Sequence, residues 1–205
     1  NFKPDGKKAI KFNDYQFSSD ETKLLLATEQ EPIYRHSSKS NYYIYDVASK
    51  KISALSDFSK GKQRLAEFSP NGNKVAFVRE NNIFINDLSA NKEVTVTTDG
   101  KMNEIINGGT DWVYEEEFSF DKGFYWAPDG SKIAYYRFDE SKVKEFQMET
   151  YGTLYPDRFV FKYPKAGEDN SVINIKVYYV DAGKTFPFNI GTETDTYIPR
   201  IQWTN

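Results

Sequence analysis

One pattern recurs along the chain and restricts what it can fold into. Tyr15-Gln16-Phe17-Ser18-Ser19-Asp20 precedes Lys23-Leu24-Leu25-Leu26-Ala27, and Glu67-Phe68-Ser69-Pro70-Asn71-Gly72 precedes Lys74-Val75-Ala76-Phe77-Val78. Tyr125-Trp126-Ala127-Pro128-Asp129-Gly130 then precedes Lys132-Ile133-Ala134-Tyr135-Tyr136, and a further copy opens at Gln202-Trp203-Thr204-Asn205. Each copy reads as a strand ending in an aromatic residue, a tight turn, and an apolar strand. Pro presets φ at the turn, and Asn-Gly or Asp-Gly supplies the positive φ such turns require. Asp20, Asn71 and Asp129 hold the same turn position, which makes them turn formers rather than catalysts.

The second unit is the clearest, with strands a to d at 63–68, 74–79, 83–88 and 93–98 joined by short polar turns. Segments 41–47 and 52–55 supply strands c and d of the first unit, and 173–180 and 186–189 those of the third. A repeated four-stranded meander is a β-propeller blade, and stacked blades bury one another's faces. The expectation is an all-β chain with blades at about 12–56, 63–98 and 124–190, the next beginning near 198. That makes about three complete blades plus fragments, fewer than the ~4–8 that close a ring. Residues 1–205 would then be a partial β-propeller, one piece of an N-terminal propeller domain in a larger protein.

Alternating strand direction puts the a–b and c–d turns on one face and the b–c and d–a connections on the other. Three unusual segments fall on the second face: the insertion 29–40 with Arg35, an acidic stretch before the third blade, and the insertion 141–170. Loops carry function while strands carry packing, so that face is expected to be the working one.

Aromatic content of 17% with only two Met favours strands over helices. A net charge of −3 and a pI near 5.4 leave no footprint for nucleic acid. No window approaches the ~18 apolar residues of a membrane span. The absence of Cys excludes disulfides, Cys-ligated metals and thiol catalysis, and His36 is the only histidine, so no His-based metal cluster is available. With no Gly-x-Ser-x-Gly elbow either, no Ser-His-Asp triad is present. No catalytic residue, metal or cofactor is therefore assigned to this chain, and His36 reads as a surface or hydrogen-bonded residue beside Arg35. Asp139-Glu140 reads as a solvated edge.

The stretch Thr110-Asp111-Trp112-Val113-Tyr114-Glu115-Glu116-Glu117-Phe118 is the chemically unusual one. Its carboxylates repel, while Trp112, Tyr114 and Phe118 pull the segment toward a drier environment where repulsion grows. It reads either as an anionic pocket wall awaiting a cation or as a short helical turn with its glutamates in water. Within it, Glu115 and Asp111 read as local caps or solvated charges, and Trp112 and Tyr114 as packing anchors.

Asp-Trp-Val-Tyr-Glu-Glu-Glu resembles the signature of the dipeptidyl peptidase IV family, serine exopeptidases with an N-terminal β-propeller and a C-terminal α/β-hydrolase domain. Tyr34-Arg35-His36-Ser37 resembles the family's Arg-His-Ser segment, and Tyr163-Pro164-Lys165-Ala166-Gly167 its Tyr-Pro-Lys-Ala-Gly run; the Asn-Pro that usually follows is Asn170-Ser171 here. The resemblance implies that Glu116 and Glu117 grip the free α-ammonium of a peptide substrate and that Arg35 helps orient it. It implies release of N-terminal dipeptides, usually with proline or alanine second, by a hydrolase domain outside this chain.

The resemblance also assigns a homodimer contact to the insertion at about 143–167, which opens on Val143 and closes on Gly167. This insertion alternates like a two-stranded projecting arm, whose Phe146, Met148, Phe159, Phe161 and Tyr163 a lone hairpin cannot bury on itself. An extracytoplasmic place, in a bacterial periplasm or cell envelope, is expected, with no signal segment in the chain itself. Two other readings stand beside this one. One is a non-catalytic propeller acting as scaffold or peptide-binding module. The other is a glycoside-cleaving propeller, which contiguous glutamates suit poorly because paired carboxylates must face each other ~5–9.5 Å apart.

Overall fold

The computed structural model describes residues 2–3 and 9–204. Asn205, the end of the fourth turn copy, lies outside them. Among the described residues the chain is all-β apart from one short α-helix and one 3-10 turn, and its strands form separate antiparallel sheets. The first sheet runs in order β1 (Asp14–Phe17), β2 (Lys23–Pro32), β3 (Ser38–Asp46) and β4 (Ile52–Ala54). The second runs β5 (Arg64–Phe68), β6 (Lys74–Arg79), β7 (Asn82–Asp87) and β8 (Lys92–Thr95). Chain order and sheet order coincide, as a meander demands, and the arrangement is that of a partial β-propeller.

The repeated turns close in one way. The amide of Glu21 donates to Ser18 O, that of Gly72 to Ser69 O, and that of Gly130 to Ala127 O, at 2.8–2.9 Å. The last residue of each turn needs a positive φ, and Gly72 (φ 68°) and Gly130 (φ 72°) adopt it freely while Glu21 (φ 55°) does so as a non-glycine.

The middle sheet is covered on both faces. Val75 and Phe77 of β6 pack with Leu25, Ile44 and Leu55 of the first sheet. The alternate residues Ala76 and Val78 pack with Phe124, Ile133 and Tyr135 of the third. A period of two sends neighbours to opposite faces, so a strand covered on both sides reads as a continuous apolar run.

The third sheet departs from the expected meander. After β9 (Ile105–Asn107) come α1 (Trp112–Glu117), β10 (Phe124–Trp126) and β11 (Lys132–Asp139), and then the arm strands β12 (Glu145–Thr150) and β13 (Asp157–Lys162). β14 (Val172–Tyr179) and β15 (Lys184–Pro187) complete the order β10-β11-β14-β15, with β9 also on β11. β9 and β10 are two halves of one innermost strand: Asn107 faces Arg137 and Phe124 faces Tyr135. Between them Gly108 donates its amide to Tyr136 O (3.0 Å) and Gly123 accepts from Tyr136 N (2.8 Å). The two glycines together stand opposite Tyr136 as one strand residue would. The acidic stretch is thus an excursion out of the innermost strand rather than a plain connection between blades. Its neck is tight, since a Cβ on Gly123 would sit 2.5 Å from Gly109 O. Residues 198–204 form no strand, and Trp203 Nε1 donates to Tyr125 O at 3.0 Å.

Candidate functional site

α1 begins at Asp111, whose carboxylate accepts from Tyr114 N at 3.0 Å, the geometry of an N-cap. A second oxygen of Asp111 accepts from Ser171 Oγ at 2.7 Å, which ties the cap to the start of β14. Burial pushes the Asp111 carboxyl up, and the Ser171 and Tyr114 bonds partly offset this. Tyr114 is fully buried among Phe118, Phe120 and Phe138, and its hydroxyl accepts from Ile198 N at 2.6 Å. Trp112 meets Tyr163 edge to face at 4.5 Å, so two of the motifs pack directly on each other. Both aromatics anchor the helix, as expected.

The three consecutive glutamates differ in environment because each step around a helix turns ~100°. Glu115 points inward and is 1% exposed. Glu116 is half-buried and pairs with Arg35, Nε to Oε2, at 3.2 Å. Glu117 is exposed, with no ion pair among the described residues. Arg35 reaches the helix from the connection between β2 and β3, where Ile33 N donates to Ser37 O (2.9 Å) and Tyr34 N to Ser37 Oγ (3.3 Å). The guanidinium remains largely solvent-facing. The three candidate residues, Arg35, Glu116 and Glu117, therefore share one place, with Arg35 joined directly to Glu116.

Two readings of single residues are corrected. Glu115 is neither a cap of its own helix nor solvated: its Oε1 accepts from the amides of His36 and Ser37, both at 2.8 Å. Glu140 is not on a solvated edge but buried beside the same site. Burial, with the nearby charge of Asp111 adding to it, pushes the Glu140 carboxyl up to about 7, and Lys162 offsets part of the shift. The arm is also corrected in part. Phe146, Phe159, Phe161 and Tyr163 cluster on one another, Phe161 is buried, and Tyr34 covers Phe159 and Phe161 at 6.3 and 5.8 Å. Of the five apolar side chains only Met148 is exposed, along with Tyr151, Leu154 and Tyr155 at the tip. The root of the arm thus folds back on the site while its tip projects.

The inward positions 111, 114, 115 and 118 follow the i, i+3, i+4, i+7 stripe of an amphipathic helix, and that spacing was the available signal for Glu115. Arg64 on β5 had no such signal. It is largely buried, its Nε lacks a hydrogen-bond partner among the described residues, and the carboxylates of Asp121 and Glu115 are the charges that act on it. No group of three or more His, Cys, Asp or Glu among the described residues has metal-binding geometry.

The family model described as "Dipeptidyl peptidase IV (DPP IV) N-terminal region" matches residues 18–205. Among curated proteins, the probable dipeptidyl-aminopeptidase B of Podospora anserina is 36% identical over 203 residues, which is 91% of this chain and 22% of that protein. The protein of the same name from Talaromyces marneffei is 34% identical over the same shares. Among solved structures, the Porphyromonas gingivalis dipeptidyl peptidase 4 superposes with a TM-score of 0.88 at 44% identity, covering 95% of this chain and 28% of that one. A putative dipeptidyl aminopeptidase IV from Bacteroides ovatus, at 23% identity and a TM-score of 0.61, shares the fold. The chain spans about a fifth of the length of its curated relatives. A family match over nearly the whole chain, together with the sheets described above, means that this chain belongs to the dipeptidyl peptidase IV N-terminal-region family.

Proposed function

We propose that Glu116 and Glu117 bind the free N-terminal ammonium of a peptide, and that Arg35 sets their geometry. The observation that carries this is the arrangement itself: Glu116 is held by Arg35 at 3.2 Å, while Glu117 beside it is exposed and unclaimed among the described residues. Two charge-assisted bonds to one ammonium contribute on the order of 1.5–3 kcal/mol each. A peptide with a blocked amino terminus brings no cation and leaves the carboxylates desolvated without a partner, which selects for free termini.

In the whole protein we place this site opposite a serine hydrolase domain that supplies nucleophile, oxyanion hole, histidine and aspartate and releases X-Pro or X-Ala dipeptides. The names of the relatives and the 44% identity to a dipeptidyl peptidase 4 support this reading. A homodimer through the tip of the arm and an extracytoplasmic location belong to the same proposal; cell fractionation tests the latter.

The deciding experiment is kinetic. In the full-length protein, Glu116→Gln and Glu117→Gln should each lower kcat/KM on a dipeptidyl anilide by at least about thirtyfold, or roughly 2 kcal/mol. Changes under about threefold would remove both residues from the site.

A further inference from the structure

Three glutamates stand in a row, and the proposed ammonium site uses the last two. The first is the most deeply buried of them, at 1% exposure, and a buried carboxylate is costly unless its bonds are made. Its Oε1 accepts both successive amides of His36 and Ser37 at 2.8 Å, across a sequence separation of 79 and 78 residues. Successive backbone amides turned to one point form a concave anion seat, here occupied by a side chain of the same chain. Arg35 immediately precedes those amides and bonds the next glutamate in sequence, Glu116. The two contacts therefore run in parallel between the same pair of elements, the 33–37 turn and α1. One is buried and made to backbone, while the other is half-exposed and made between side chains. An exposed ion pair alone contributes roughly 0–1 kcal/mol and does not fix a loop. Hydrogen bonds from buried amides to a carboxylate contribute more, and leaving such amides without an acceptor costs the loop its conformation.

We infer that Glu115 is a positioning residue: by seating the His36 and Ser37 amides it holds the Arg35 turn against α1, so that Arg35 and Glu116 meet in the geometry that binds a substrate ammonium. This rests on the ammonium reading above. The other oxygen of Glu115, Oε2, is buried without a hydrogen-bond partner among the described residues, and Arg64 on β5 is a cation whose charge interacts with this carboxylate. The row then divides its work: an inward anchor, a paired middle residue, and an outward residue left free for the ligand.

The test uses the full-length protein and a dipeptidyl anilide. Glu115→Gln keeps an oxygen able to accept both amides and should hold KM within threefold of wild type. Glu115→Ala removes the acceptor and should raise KM at least tenfold with kcat within threefold, a split that a general loss of fold would not produce. An unchanged KM in Glu115→Ala, or an equal loss in both variants, would overturn the inference. Glu116→Gln runs as the control: a raised KM there with an unchanged one in Glu115→Ala ends this inference alone, and a wild-type KM in Glu116→Gln ends the ammonium reading and this inference together. A second measurement needs no variant. Although His36 is exposed, its amide and that of Ser37 should exchange with deuterium at least about a hundredfold more slowly than an open loop, and loop-like exchange at both would refute the seat.

Discussion

Glu140 closes β11 with its amide on Glu104 O at 2.8 Å and its carboxyl buried among Asp111, Asp139 and Lys162. Its pKa in the folded chain is about 7 against a usual 4.5. Between those values the folded state holds a proton that the unfolded state has released. Stability is then greatest below pH 4.5 as far as this group is concerned, and is lost as pH rises from 4.5 through 7, by on the order of 3 kcal/mol in total. Glu140→Gln mimics the protonated form. It should unfold at higher denaturant than wild type at pH 8 and at nearly the same denaturant at pH 5; a wild type that gains stability relative to the variant across that interval would refute the assignment. The residues alone carry no signal for this burial, and for Glu115 the helical stripe marks an inward position without showing what the carboxylate meets there. Arg35 lay beside Glu116 in the reading because short motifs carry it. Burial of Glu115 and Glu140 depends on which remote segments arrive over them, and 79 residues separate Glu115 from the amide it binds.

At the scale of elements, the meanders were legible because their signals are local: a turn with Asn-Gly or Asp-Gly, then alternation with a period of two. The divided inner strand was not. Ile105–Asn107 is only three residues long, has no turn signature of its own, and takes its identity from pairing with Arg137–Asp139 of β11. Its junction with β10 makes a definite expectation. A methyl at Gly123 would press on Gly109 O at 2.5 Å, backbone against backbone, with no flexible side chain to yield. Gly123→Ala should lower unfolding free energy by about 1–3 kcal/mol. It should also raise amide exchange at Gly108 and Tyr136, whose bonds close the neck. A variant as stable as wild type with unchanged exchange at those amides would show that the neck is not tight.

At the scale of the molecule, the three stacked sheets leave apolar residues uncovered at both ends of the stack. Phe12, Tyr15 and Phe17 are exposed at the first sheet, and Phe186 and Phe188 at the third. Propeller sheets bury such faces on their neighbours, in line with a chain that is part of a ring. The arm tip is a separate apolar surface, with Tyr151 and Tyr155 each 77% exposed and Leu154 91% exposed. The proposed homodimer would bury it. Leu154→Ser with Tyr155→Ser in the full-length protein should convert a dimer to a monomer in light scattering at micromolar concentration. A monomeric wild type, or an intact dimer in the variant, would remove the tip from any interface. Phe159 and Phe161 are poor probes for this, since they pack against Tyr34 and their loss would disturb the Arg35 turn as well.

The composite residue formed by Gly108 and Gly123 has a consequence for how such a protein changes over time. The sheet sees one continuous partner for β11: β9, then a single position shared by the two glycines, then β10. Everything from Gly109 to Lys122 is therefore a graft set into a strand at one joint, and the strand's register on either side is indifferent to the graft's length. A lineage can lengthen, shorten or rewrite the acidic helix while the blade beneath keeps the same hydrogen-bond ladder. An engineer can exchange it at the same two glycines. The constraint lies at the rim, where Tyr114 fills the space over Phe138 and Glu115 must still find two amides on the β2–β3 connection of the first sheet. New specificities are open to this scaffold to the extent that a replacement graft brings its own plug and its own anchor.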